Sequence, residues 1–242
     1  MIYKIKTKDN HIAYVSKDHI FKVLYCNRIL EVKAKDLHLY DTVFMNKDNS
    51  YMIDYEHHDF KEGFIKGALC GDGCITNYGE IRLSVNYNQK YIIDIFNEYL
   101  NELYNIRLES CTDGKGCYDF RKYSTSKYKE ICENIKGTNC YDKHLDDIEN
   151  KSLNYLIGFL DGLSITDGSY QSNGRGISLS LTNELLIKNV DDILNILEIK
   201  HNKYTSYQDK RKNKHIVYRI YMPQSIIPYL KHTLIKKLNN KV

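Results

Sequence analysis

The sequence predicts an α+β protein of two pseudo-symmetric αββαββα halves, packed about a pair of glycine-faced helices, carrying antiparallel sheets and preceded by a small β module. Three observations lead there. Glycines recur four apart in two stretches, Gly63, Gly67 and Gly71, then Gly158 and Gly162, and each stretch closes in Asp-Gly, at Asp72-Gly73 and Asp167-Gly168. Each stretch is followed by the same succession of strand and helix periods, an internal repeat of roughly 95 residues. Residues 2 to 45 alternate apolar and polar side chains in the strand period.

The 242 residues are 42% hydrophobic, enough to bury a core, and hold only two prolines and no low-complexity run. The longest apolar run, Leu153 to Ile165, is interrupted by Asn154, Asp161 and Ser164 and falls short of the roughly 20 residues that cross a bilayer. No membrane span or signal peptide is expected, and an intracellular location follows. Seven cysteines, an odd number with no Cys-x-x-Cys pair, point to reduced thiols and exclude a disulfide framework or a common zinc site. The net charge of +4 is uneven, because residues 201 to 242 hold ten Lys or Arg and one acid, Asp209. That end is therefore +9 and residues 1 to 200 are −5, which makes the basic end a candidate nucleic-acid surface.

In chain order, residues 1–55 form the β module, with strands in Ile2 to Ile5, Ile12 to Val15, Phe21 to Tyr25 and Thr42 to Phe44 and a polar linker from Lys47 to Asp59. The first half, residues 56–150, opens with the glycine-faced helix Phe60 to Asp72. Glycines on one face leave it bare, so two such helices can pack backbone to backbone, and a closing glycine suits a helix C-terminus. Strands at Cys74 to Thr76 and Ile81 to Val85 flank the Asn77-Tyr78-Gly79 turn. A helix at Gln89 to Leu103, a hairpin of Ile106 to Ser110 with Cys117 to Lys122, and a closing helix at Lys127 to Ile135 complete it. The second half, residues 151–242, repeats this with a helix from Ser152 to Asp167, strands at Ser169-Tyr170 and Ile177 to Ser180, and a helix at Glu184 to Leu197. A hairpin from Lys203 to Tyr221 and a helix from Pro223 to Leu238 close the chain.

The nine residues ending each stretch, Ile65-Lys66-Gly67-Ala68-Leu69-Cys70-Gly71-Asp72-Gly73 and Leu160-Asp161-Gly162-Leu163-Ser164-Ile165-Thr166-Asp167-Gly168, resemble the motif of the LAGLIDADG homing endonucleases, of the intein-derived dodecapeptide type. The glycines and the eighth-position acid match in both copies, whereas the sixth position, often Asp in that family, is Cys70 and Ile165. The resemblance implies a monomer that cuts both strands of a long double-stranded DNA target. It also implies that Asp72 and Asp167, with Gly71 and Thr166 before them, hold Mg²⁺ or Mn²⁺. A Lys that stabilises transition-state charge would be Lys143 in the first half and Lys236 in the second, and the polar residues that hold the attacking water would be Gln89 and Asn183.

Residues Val15 to His19, Val32 to Leu37 and Asp41 to Val43 look like part of the Hint domain of inteins, with Ser16 and His19 in its Thr-x-x-His positions. Splicing needs a nucleophile at the first residue and a His-Asn downstream junction, and this chain offers Met1 and Asn240-Lys241-Val242. The module is expected to be a splicing-incompetent remnant.

Two parallel helices in contact would bring Asp72 and Asp167 together, where like charges and helix C-termini call for a cation. Hard oxygen ligands without a dedicated cage suit Mg²⁺, which completes its shell with water and phosphate oxygens. β-Ribbons fit the major groove, and the polar candidates for contact with DNA are Arg82, Ser84, Asn86, Arg107, Glu109, Asp119 and Arg121 in the first half. In the second they are Ser178, Ser180, Lys203, Tyr204, Ser206, Tyr218 and Arg219, and a one-residue register left open decides which of them face the bases. The loop Lys210-Arg211-Lys212-Asn213-Lys214 suits phosphates more than bases. A non-cleaving DNA- or RNA-binding protein, a repressor or maturase on the same scaffold, is the rival reading.

Overall fold

The computed structural model describes residues 2–6, 12–25, 28–39, 41–43, 53–76, 79–112, 117–123, 125–171, 176–209 and 215–233. It divides into two compact units, Met1–Met52 and Ile53–Val242. In the first, β1 (Ile2–Lys6) pairs antiparallel with β2 (Ile12–Ser16). A separate three-stranded sheet runs β4-β3-β5, from β3 (Ile20–Tyr25), β4 (Arg28–Lys33) and β5 (Thr42–Val43). Phe21, Val23 and Ala34 form its small core. Here β4 is a strand that the alternation in residues 2 to 45 did not delimit.

In the larger unit, α1 (His58–Cys70) is followed by β6 (Gly73–Ile75), β7 (Glu80–Asn86), α2 (Lys90–Tyr104), β8 (Glu109–Thr112), β9 (Cys117–Tyr123) and α3 (Thr125–Ile131). The two-residue strands β10 (Ile135–Lys136) and β11 (His144–Leu145) form a hairpin. The programme then repeats as α4 (Leu153–Asp167), β12 (Ser169–Tyr170), β13 (Gly176–Leu181), α5 (Glu184–Ile196), β14 (Thr205–Gln208) and β15 (Ile216–Pro223). Both sheets are antiparallel and topologically identical, β6-β7-β9-β8 and β12-β13-β15-β14. The repeat read from the sequence is thus a structural one.

Each half buries one face of its sheet under a helix. On β7, Ile81, Leu83 and Val85 alternate inward, and on β13 and β15 Leu179, Ile220 and Met222 do the same. They meet the apolar stripes of α2 (Ile92, Ile93, Phe96) and α5 (Leu186, Ile187, Val190, Ile193) in one continuous core built around α1 and α4.

Three expected elements differ. α3 stops at Ile131 because Asn134 takes a left-handed conformation, φ 66°, and the chain then turns into β10. The helix expected from Pro223 is broken: Pro223 ends β15, Gln224–Tyr229 form a 3-10 turn containing Pro228, and helical conformation resumes only at Lys231. Pro228 lacks the N–H an α-helix needs and restricts the residue before it. Finally, α1 ends at Cys70, which leaves Asp72 just beyond the helix, whereas Asp167 is the last residue of α4.

Candidate active site and nucleic-acid interface

The site begins with the glycines. A Cβ added at Gly63 or Gly67 would lie 2.1 Å from the carbonyl oxygen of Tyr155 or Phe159, and one at Gly158 or Gly162 would lie 2.1 or 2.0 Å from that of Phe60 or Phe64. Each helix therefore seats its carbonyls on the bare face of the other, and α1 packs against α4 along its length. No other residue type permits that approach, because even a methyl group would overlap backbone.

The same packing continues to the C-terminal ends. A Cβ on Gly71 would sit 2.3 Å from Thr166 Oγ1 and 2.5 Å from Asp167 Oδ2, so the carboxylate of α4 lies against the residue preceding Asp72. Thr166 is fixed by donating its hydroxyl to the carbonyls of Gly162 and Leu163 at 3.2 and 3.0 Å. Asp72 is exposed, and its carbonyl accepts the N–H of Ser84 on β7 at 3.3 Å. The two acids thus stand where α1 and α4 open into the first strand of each sheet.

Lys143 reaches this end from the β10–β11 hairpin. The loop is shaped by Asp142, whose Oδ1 accepts the N–H groups of Thr138 and Asn139 at 3.0 and 2.9 Å, and by Gly137 at φ +78°, where a Cβ would strike the Asp142 carbonyl. The Lys143 amine then donates to the carbonyls of Leu69, Gly71 and Gly73 at 2.8, 3.4 and 2.5 Å. It satisfies acceptors that the end of α1 leaves open and places a positive charge against a negative helix terminus. Burial holds its pKa below the ordinary lysine value, with the Cys70 thiol and the Asp167 carboxylate pulling the other way.

Asn183 does not stand open to a water. It is buried as the N-cap of α5, with Oδ1 accepting the N–H of Leu186 at 3.1 Å and Nδ2 donating to the Lys143 carbonyl at 2.5 Å. The same clamp is reinforced by Asn189, which accepts the N–H of Leu145 at 2.6 Å. The second half therefore grips β11 and the Lys143 backbone just before it, and the Asn183 side chain is taken up by that grip and by the α5 cap. Gln89 lies at the N-terminus of α2, five residues past Ser84. Lys236, Lys210, Arg211, Lys212 and Lys214 lie outside the described residues, as do the turn residues Asn77 and Tyr78 and the loops 113–116 and 172–175.

The sheets settle the register that the sequence left open. On the first, Arg82 faces Arg121 and Ser84 faces Asp119, with Asn86 on the same side, away from α2, because Ile81, Leu83 and Val85 point to the core. The Ser84 hydroxyl donates to Asp119 at 2.5 Å. Arg107 precedes β8 and lies on no strand. On the second, Ser178 faces Tyr221 and Ser180 faces Arg219 on the side opposite Leu179 and Ile220, but Ser178 is buried, its hydroxyl accepting from Gln171 at 2.7 Å, so only Ser180 of the two stands open. Ser206 is opposite Tyr218, which stacks edge-on with Tyr204, and Tyr204 donates to Glu184 on α5. Ser206, Tyr218 and Tyr204 thus belong to the helix side, and Lys203 precedes β14. Thr205, Tyr207 and Tyr221, none of them named as base readers from the sequence alone, complete the outer face around Arg219.

Two further charges sit inside the motif helices at corresponding positions, three residues after Gly63 and Gly158. Lys66 is fully buried and donates to the carbonyls of Glu130 and Glu133 at 3.2 and 2.8 Å, closing the end of α3, with Glu62 at 3.3 Å. Asp161 accepts the N–H groups of His232 and Thr233 at 2.9 and 2.8 Å and the Thr233 hydroxyl at 2.6 Å. Each half thus pins its closing element to its motif helix with one buried charge of opposite sign. The signal available beforehand was a charge inside an apolar, glycine-spaced run, Lys66 between Gly63 and Cys70 and Asp161 between Tyr155 and Ile165.

Paired glycine-faced helices, with an acid at or just past the end of each at the rim of its own four-stranded antiparallel sheet, define the LAGLIDADG fold. Residues 154–235 match the LAGLIDADG-like domain family. Among solved structures, the chain is similar to a doubly substituted variant of I-DmoI in complex with its nicked target DNA in the presence of Mn, at 17% identity over 74% of this chain and 98% of that one, TM-score 0.50. It is also similar to full-length DUF199/WhiA from Thermatoga maritima, at 12% identity over 79% of this chain and 63% of that one, TM-score 0.51. No curated protein matches the chain. Among the described residues, no helix is long and apolar enough to cross a membrane.

Proposed function

We propose that the chain is a site-specific DNA endonuclease that makes a divalent-metal-dependent double-strand break in a long target, one acid serving each strand. The observation that carries this reading is the approach of the Asp167 carboxylate to Gly71, the residue before Asp72, at abutting helix ends, with the buried amine of Lys143 on the Gly71 carbonyl. The residues fit Mg²⁺ or Mn²⁺: Asp72 and Asp167 are hard oxygen donors, the helix ends add partial negative charge, and the absence of a side chain at Gly71 lets the Asp167 carboxylate approach the residue before Asp72. Such an ion supplies electrophilic activation of the phosphate and a water of lowered pKa. Asp72 and Asp167 would hold it, and Lys143 would place positive charge near the phosphoryl oxygens as charge develops there. The outer sheet faces would position the duplex, with two motifs in one chain removing the need for a second copy. The similarity of I-DmoI, solved with its target DNA, supports this assignment.

Asp72→Asn should abolish cleavage while leaving sequence-selective binding within a few-fold, and excess chelator should do the same to the unaltered protein. The measurement is plasmid linearisation after selection of cleaved sites from a duplex library. Full activity of the variant would remove Asp72 from the chemistry, and selective binding without cleavage in any divalent metal would assign the scaffold to a non-cleaving regulator.

A further inference from the structure

Arg219 has surroundings that set it apart from Arg82 on the first sheet. It lies mid-strand on β15, a central strand, flanked by Ser180 on β13 and Thr205 on β14. Its Nε donates to Ser180 Oγ at 2.9 Å, one terminal nitrogen donates to Tyr207 Oη at 2.8 Å and the other reaches Tyr221 Oη at 3.5 Å. The guanidinium also lies 4.7 Å from the centroid of the Tyr207 ring, a cation–π distance. Every one of these partners is neutral. By contrast Arg82 sits beside Asp119 and Cys74, and that acid also takes the Ser84 hydroxyl.

A guanidinium has five N–H donors, so three committed bonds leave one donor on each terminal nitrogen. Two parallel donors on a planar fork are what the O6 and N7 acceptors of guanine take in the major groove. A phosphate contact would use the same fork, but backbone phosphates line the edges of a groove occupied by a ribbon, whereas the middle of a central strand lies over its floor. Tyr207 and Tyr221, 40% and 44% exposed, wall the fork on the open face and restrict its rotamers before any ligand arrives.

We propose that Arg219 is a specificity-determining residue that reads one guanine in the half-site covered by the second half, with Tyr207 as its positioning residue. This rests on the DNA-cleaving reading above. The test is selection of bound duplexes from a randomised library by the full chain in chelator, for the unaltered protein, Arg219→Lys, Arg219→Ala and Tyr207→Phe. The unaltered protein should enrich a guanine at one position that both Arg219 variants lose, with discrimination there falling roughly 10-fold or more and preferences elsewhere kept. Arg219→Lys keeps the charge but not the fork, so its affinity for non-target DNA should hold within about 2-fold. Tyr207→Phe keeps the ring and loses the hydroxyl, and should blunt the guanine preference without removing it. Circular dichroism and melting of each variant exclude misfolding. A guanine retained by Arg219→Ala, or equal weakening on all sequences, would overturn the proposal while leaving the endonuclease reading intact. An unaltered protein that enriches no sequence would instead overturn the endonuclease reading itself.

Discussion

At the scale of single residues, the helix pair depends on side chains that are missing. Gly67→Ala should be stabilising on helix propensity alone, by about 1 kcal/mol. The added methyl, however, would fall 2.1 Å from the Phe159 carbonyl, which is backbone and cannot rotate away. Overpacking of that kind costs about 1–3 kcal/mol or more, so the net effect should be destabilising by at least about 1 kcal/mol. Denaturant titration of Gly67→Ala and Gly162→Ala checks this, and an unchanged midpoint for both would mean that the helices do not touch backbone to backbone. Lys66 and Asp161 act at the same scale in the opposite sense, since each fills its place with a charge whose partners include two backbone groups of the closing element. Removing either leaves those groups buried and unsatisfied.

At the scale of elements, the closing segment of the second half carries a testable balance. Burial pushes the Asp161 carboxyl up from 3.8 to about 6, against the hydrogen bonds from Thr233 and His232, and burial holds the His232 imidazole down from 6.5 to about 4. Between pH 6 and 4 the folded chain binds a proton at Asp161 that the unfolded chain does not, so acidification stabilises through that group. Between pH 6.5 and 4 the unfolded chain binds a proton at His232 that the folded chain refuses, so acidification destabilises through that one. The two oppose each other in one window. Asp161→Asn should therefore lose stability relative to the unaltered protein as pH falls from 6.5 to 4, and His232→Gln should gain relative to it. Melting temperatures at pH 4.5 and 7 decide, and equal pH slopes for both variants would refute the balance. Much of this level was legible in the sequence: glycine spacing gave the helix pair, and strand and helix periods gave the αββαββα order. Register was not, because a one-residue slip exchanges faces and only the packing of Leu179, Ile220 and Met222 against α5 resolves it. The standing of Asp72 and Asp167 at the ends of α1 and α4 was legible because a motif carries them. The clamp of Asn183 on Lys143 was not, since those residues lie 40 positions apart and in different halves.

At the scale of the whole molecule, charge and symmetry act together. Residues 201 to 242 carry +9 against −5 for the remainder. If the basic loop follows the duplex, replacing Lys210, Arg211, Lys212 and Lys214 with Ala should lower the slope of log K against log salt by roughly 0.9 for each phosphate no longer neutralised. Target and non-target DNA should weaken alike, and an unaltered slope would place the loop away from DNA. The seating of carbonyls on glycines has a further consequence for how such a helix pair can change. Because bare positions recur every four residues, the next register in which α1 and α4 could mesh is a whole step away, about 6 Å at 1.5 Å per residue. The pair behaves as a ratchet with widely spaced teeth, and the separation of its two acids is a quantised setting. The outer sheet faces can then exchange side chains while the spacing of the two motif acids stays as invariant as the pitch of a screw.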